Sequence, residues 1–94
     1  MRRGRYLVAY DIRESRRLRR VAKIMEAFGT RMQYSVFVCD LSQAELVDLR
    51  FDLRDVLELE DSVMVVPLGP GYDRSCFEFI GASPDLPEAG SVIV

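Results

Sequence analysis

The sequence contains no histidine and no tryptophan, and only one of its thirteen basic residues is a lysine. The missing histidine excludes Ser–His and Cys–His nucleophile pairs, a histidine general base and any histidine-ligated metal. Catalysis, if present, must use carboxylates, arginine, tyrosine or a metal held by oxygen. Cysteine is nearly as scarce. Cys39 and Cys76 stand alone, without the C-x-x-C or Cys/His spacing of a metal or redox site, and are expected as reduced, largely buried thiols. No apolar run approaches the ~18 residues of a membrane span; the longest, residues 6–10 and 63–68, are strand-length. The basic opening Met1-Arg2-Arg3-Gly4 leads straight into a strand rather than into the apolar region of a signal peptide. The expected compartment is the cytoplasm.

What the chain has is a sharply divided charge. Residues 1–31 carry ten Arg or Lys against three Asp or Glu, whereas residues 32–94 carry three Arg against twelve Asp or Glu. The small net charge of −2 conceals this asymmetry. Arginine's planar fork suits bidentate contact with phosphate better than the point charge of lysine. A basic first third therefore points to a local anion-binding face, or to a plain solvated arginine surface.

Ninety-four residues, half of them apolar, make one domain with a thin core. Residues 5–10 are apolar on both faces, the pattern of a central strand. Ser15 to Phe28 reads as a helix, with Leu18, Val21, Ala22, Met25 and Phe28 at spacings of three and four and Gly29 as a left-handed C-terminal stop. Residues 33–39 alternate as a second strand. Ser42-Gln43-Ala44-Glu45 has the form of a capping box, opening a helix with Leu46, Leu49, Leu53, Val56 and Leu57 on its core face. Residues 62–67 read as another central strand, and residues 75–80 as a last one. The expected class is α+β, a ferredoxin-like βαββαβ sandwich over residues 1–81. Residues 82–94 are expected to be a Pro- and Gly-interrupted linker ending in a strand, 91–94, that pairs with a partner subunit. Helices on one face would leave the other bare although its strands look buried on both sides, so a second copy is expected to cover it.

Asp11 heads the candidate chemistry. It ends a central strand just before a helix, where ligands gather in α/β units. It could cap the helix or pair with Arg13 or Arg16. It could equally hold a divalent cation, since a carboxylate among arginines suits phosphate only when a metal bridges them. In a dimer two copies of Asp11 would meet, and repulsion between them would leave one holding a proton or draw a cation between the pair. Arg13, Arg16, Arg17 and Arg20, spaced three, four and seven apart, form the expected phosphate-binding face, flanked by Arg19, Lys23 and Arg31. Tyr10, Tyr34 and Phe37 could stack on bases or belong to the core.

Several strings then align. Tyr10-Asp11-Ile12, Arg20-Val21-Ala22-Lys23, the run from Gly29 through Gln33-Tyr34-Ser35-Val36-Phe37, and Asp61-Ser62-Val63 together resemble the Cas2 family of CRISPR-associated proteins over residues 5–80. The resemblance implies a cytoplasmic homodimer that bridges the Cas1 integrase and lies against DNA backbone during spacer acquisition. It also implies a metal-dependent endonuclease acting on single-stranded RNA or double-stranded DNA, with Asp11 as catalytic residue and as ligand of magnesium (or manganese) between the two subunits. Arg20, Arg31 and Phe37 match positions linked to nucleic-acid contact. An RNA-recognition motif and a toxin-type ribonuclease of the virulence-associated D kind share the fold. The former is disfavoured because residues 62–67 lack its Gly and aromatic pattern.

Overall fold

A computed structural model describes residues 3–70 and 74–82 of the chain. In order, its elements are β1 (Arg3–Asp11), α1 (Ser15–Phe28), β2 (Thr30–Gln33), β3 (Val36–Ser42), α2 (Gln43–Val56), β4 (Ser62–Pro67) and a short 3-10 turn, Arg74–Cys76. This is the βαββαβ order, in one sheet with strand order β2-β3-β1-β4, and the fold is ferredoxin-like.

The strands are not those expected. Residues 33–39 are two strands rather than one: the chain turns at Tyr34 and Ser35, and β2 pairs antiparallel with β3. That hairpin supplies the second and third strands of the fold. Residues 75–80 do not form a strand; a 3-10 turn leads into irregular chain, and Phe77 and Phe79 pack edge to face, with ring centroids 6.2 Å apart. The central strands are β1 and β3, while β4, expected to be central, lies at an edge. Cys39 is buried as expected, but Cys76 is exposed. The tail strand of residues 91–94 lies outside the described residues.

Strand alternation sorts the side chains into two layers. On one face Val8 stands opposite Phe37 and Val65. There Tyr6, Val8, Tyr10, Phe37, Cys39 and Leu41 form the core with Val21 and Met25 of α1 and Leu46, Leu49, Leu53 and Val56 of α2. Both helices thus cover the same face. On the other, Leu7 stands opposite Val38 and Val66, and Ala9 opposite Val36 and Met64. Residues 76–79 lie beside Leu7, Met32 and Val36 at a cavity of about 340 Å³. Met64 and Val66 remain 57% and 37% exposed. The double-sided apolar pattern of residues 62–67 therefore reflects an edge strand with one face on the helices and one open.

The helix ends have local causes. Ser42 Oγ accepts from the Glu45 N–H at 3.1 Å and Glu45 Oε1 from the Ser42 N–H at 2.8 Å, so the capping box forms as read. Gly29 closes α1 by a different route from the one expected. Its φ of −161° is extended, not left-handed. The constraint is space: a Cβ there would lie 2.5 Å from both the Val38 carbonyl oxygen and the Cys39 Sγ. Since one of those atoms is backbone in a central strand, it cannot swing away. Gly29→Ala is accordingly expected to destabilise the fold by about 1–3 kcal/mol in urea unfolding; an unchanged midpoint would show that β3 yields freely.

Candidate nucleic-acid and metal interface

Asp11, Arg13, the N-terminus of α1, the β2–β3 turn and the start of β4 share one end of the sheet. Asp11 pairs across the ladder with Ser62, and the Tyr10 N–H donates to the Ser35 carbonyl at 3.1 Å. Counting by twos along β1, Asp11 continues the series Leu7, Ala9. It therefore stands at the end of the open apolar row, not on the helix side.

Asp11 does not cap α1. Glu14 is the N-cap, and its carboxylate accepts from the Arg16 and Arg17 N–H groups at 3.0 Å each. These two bonds hold the Glu14 carboxyl below its ordinary range. The ion-pair alternative is present: Asp11 Oδ2 lies 3.2 Å from Arg13 Nη2, with the Asp11 side chain 62% exposed. Asp11 is thus an accessible carboxylate on the open-face side of the sheet, beside one arginine.

The basic residues separate into two groups. Arg16, Arg19, Arg20 and Lys23 line one concavity. All four are exposed, and none forms an ion pair among the described residues. Arg17 is different. It lies one turn before the buried Val21, at the end of the core-facing stripe, and its side chain is 18% exposed. Its Nε is 2.7 Å from Asp61 Oδ2, its Nη2 is 3.0 Å from Glu60 Oε2, and its Nη1 is 3.9 Å from Glu14 Oε1. Expected among the phosphate ligands, Arg17 is bound to internal carboxylates instead. Arg13, before the helix starts, is held by its own N–H donating to Asp61 Oδ1 at 2.9 Å.

Asp61 enters the sequence reading only as the first residue of the Asp61-Ser62-Val63 string and not as a site residue, yet its side chain is fully covered. Besides Arg17 and Arg13 it accepts from the Glu58 N–H at 3.0 Å. The Arg17 hydrogen bond, aided by these N–H groups against the cost of burial, holds its carboxyl far below the usual range.

Tyr10 and Phe37, expected to meet bases, are both buried, with rings stacked at 6.2 Å in the core; burial also pushes the Tyr10 hydroxyl upward in pKa. Neither can stack on a base without unpacking the sheet. Arg31 is likewise engaged within the chain. Its guanidinium lies 4.9 Å from the Phe37 ring centroid and 3.6 Å from Glu26, and it donates to the Tyr34 carbonyl. The same carbonyl accepts from the Tyr10 hydroxyl at 3.5 Å. The aromatic that does face solvent at this end is Tyr34, 74% exposed at the hairpin turn.

With this geometry in place, similarity to known proteins decides the family. The family model described as CRISPR associated protein Cas2 matches residues 4–76. The chain belongs to the Cas2 family. It is 39% identical over 90 residues to the CRISPR-associated endoribonuclease Cas2 3 of Synechocystis sp., covering 95% of this chain and 97% of that protein. It is 36% identical over 86 residues to the CRISPR-associated endonuclease Cas2 of Halalkalibacterium halodurans, covering 85% and 88%. Among solved structures, Streptococcus pyogenes Cas2 superposes with a TM-score of 0.74 at 34% identity, covering 82% of this chain and 99% of that one. No helix among the described residues is long and apolar enough to cross a membrane.

The Asp61–Arg17 pair has a pH signature. A carboxyl whose folded pKa lies below its unfolded value stabilises the fold above the unfolded pKa and loses that contribution as pH falls through the folded one. Asp61→Asn is expected to lower the urea midpoint at neutral pH, with the gap to wild type narrowing below about pH 4. A gap independent of pH would show that the charge of Asp61 contributes nothing.

Proposed function

We propose that this Cas2-family chain acts as a homodimeric, nucleic-acid-binding subunit of CRISPR spacer acquisition, bridging the Cas1 integrase and lying against duplex backbone. The observation that carries this is the stripe Arg16, Arg19, Arg20 and Lys23: four exposed cations at helical spacing, without carboxylate partners among the described residues. Such a stripe contacts phosphates without reading sequence. Arg13 sits at its N-terminal end beside Asp11. Arg31, Tyr10 and Phe37 support the hairpin rather than touch nucleic acid, and Tyr34 is the aromatic placed to stack on a base. The open row Leu7, Ala9, Val36, Val38, Met64 and Val66 fits burial against a second copy. Both described cysteines are free, which suits the reducing cytoplasm.

A second role, as a metal-dependent endonuclease on RNA or DNA phosphodiesters, is favoured by the placement of Asp11. The cap it might have filled is taken by Glu14, and its strand position puts it on the face a second copy would cover. Among the described residues no three potential ligands cluster into a metal site. One chain thus offers Asp11 alone, and a two-fold pair offers two carboxylates. That donor set fits magnesium or manganese, which accept one or two carboxylates and fill the remaining positions with water and phosphate oxygen. When bound, the ion supplies an activated water and stabilises charge on the phosphodiester. Arg13, paired to Asp11, orients that carboxylate and stands ready for the phosphate.

Three experiments test these roles. Reversing the charge of Arg16, Arg19, Arg20 and Lys23 is expected to flatten the dependence of duplex affinity on salt by about one log–log unit per side chain; an unchanged slope would falsify the stripe assignment. Met64→Glu with Val66→Glu is expected to bring the scattering mass down from twice 10.8 kDa to 10.8 kDa. It should also abolish cleavage and leave the helices folded. A double variant that stays dimeric moves the interface elsewhere, and Asp11→Ala with cleavage intact removes the nuclease role.

A further inference from the structure

We infer that Asp61 is a positioning residue: with Arg17 it forms a clip that fixes the loop that follows Asp11 and carries Arg13, and neither member of the clip contacts nucleic acid. The inference rests on the proposed role of Asp11 as the metal-holding carboxylate.

Three observations converge on it. Asp61 is the buried centre of four hydrogen bonds: from Arg13 N–H at 2.9 Å, Arg17 Nε at 2.7 Å, Arg17 Nη2 at 3.3 Å and Glu58 N–H at 3.0 Å. Both oxygens are used, and the donors come from the β1–α1 loop, from α1 and from the turn before β4. The clip also adjoins the candidate site in the ladder, because Ser62, the next residue, is the register partner of Asp11. Finally, the loop between β1 and α1 is short, and both its ends are tied. Glu14 binds the first turn of α1, Asp61 binds the Arg13 main chain, and the Arg13 side chain reaches back to Asp11 Oδ2 at 3.2 Å. Moving the Arg13 backbone therefore moves both the carboxylate's partner and the strand end that carries the carboxylate. A covered carboxylate with this many donors is also hard to relocate, since losing it leaves the Arg17 guanidinium and two main-chain N–H groups without their acceptor.

This assigns Arg17 a role that its place in an arginine-rich helix conceals. Charge census puts it with Arg16 and Arg20, but its geometry puts it with Asp61 and Glu60. The two assignments differ in a measurable way. A phosphate ligand carries part of the salt dependence of binding, whereas a positioning residue carries none and acts on the metal site instead.

The test compares Asp61→Asn, Arg17→Met, their double variant and the milder Arg17→Lys in the full chain. Arg16→Met serves as the ledge control and Asp11→Ala as the site control, each variant first shown folded by circular dichroism. Manganese binding is read by electron paramagnetic resonance with a duplex of about 25 base pairs present. Asp61→Asn and Arg17→Met are each expected to weaken manganese binding about 10–100-fold, Arg17→Lys less so, and the double variant no more than either single one, because they act as one unit. All four should keep the wild-type salt slope, while Arg16→Met lowers it by about one. The inference is overturned if Arg17→Met lowers the slope as Arg16→Met does, or if manganese affinity survives Asp61→Asn but not Asp11→Ala. Should Asp11→Ala leave manganese binding intact, the metal role of Asp11 is what fails. Amide exchange then decides the clip alone: faster exchange of the Arg13 N–H in Asp61→Asn upholds it, and unchanged exchange overturns it. If Asp61→Asn does not fold, Arg17→Lys carries the same comparisons.

Discussion

Strand β1 is apolar on both of its faces, and the two helices among the described residues cover only one. Everything else follows from that shortage. Tyr6, Val8 and Tyr10 are buried by α1 and α2, which fixes the helices to a single layer. Leu7 and Ala9, one residue out of phase, are left with Val36, Val38, Met64 and Val66 in an aliphatic row that faces outward. At roughly 25 cal/mol per Å² of apolar surface, a row of this kind favours burial against something. Its exposed part is Met64 and Val66, not the strand aromatics on which an RNA-recognition motif stacks bases.

The end of β1 converts this packing constraint into chemistry. A carboxylate at a strand end before a helix would ordinarily be drawn into the helix cap. Here Glu14 occupies the cap and Asp61 secures the loop, so Asp11 is relieved of both structural tasks. Three acidic residues sit close together, but their surroundings differ. Glu14 is held by helix N–H groups and Asp61 is buried on an arginine, whereas Asp11 stays open to solvent with one exposed arginine beside it. This division of labour leaves Asp11 the most accessible carboxylate of the three, which is what supports the proposed metal role.

How much of this was legible in the sequence varied by residue, for physical reasons. The capping box at Ser42 and Glu45 was readable because it is a local motif with its own hydrogen bonds, and so was the core face of α2. The hairpin at Tyr34 and Ser35 was not. It lacks the Gly or Asn that marks tight turns, and it is held instead by Arg31, three residues away, and by the Tyr10 hydroxyl from another strand, both converging on the Tyr34 carbonyl. Gly29 was recognised as a stop, but its reason, the nearness of Val38 and Cys39, is tertiary. Among the basic residues the stripe was read with its phase displaced. Arg13, Arg16, Arg17 and Arg20 have helical spacing, but Arg13 precedes the helix and Arg17 heads the series that continues through Val21 to Ile24, Met25 and Phe28. Shifted by one step, Arg16, Arg19, Arg20 and Lys23 satisfy the same spacing on the exposed side.

The phase of that stripe also limits how nucleic acid can approach. Both helices lie in one layer, so the cations of α1 are neighbours of the acidic face of α2; Arg20 and Lys23 line a groove whose far wall is Asp52 and Asp55 with the exposed Phe51. A polyanion crossing that groove would meet repulsion on the far side, whereas one running along α1 toward its N-terminus meets Arg16, the positive end of the helix dipole and Arg13 in turn. The favourable path leads to the end of β1, where Asp11 stands on the open face. In the proposed role, charge division between two adjacent helices favours a phosphate backbone that runs along α1 toward the strand end where Asp11 is exposed beside Arg13.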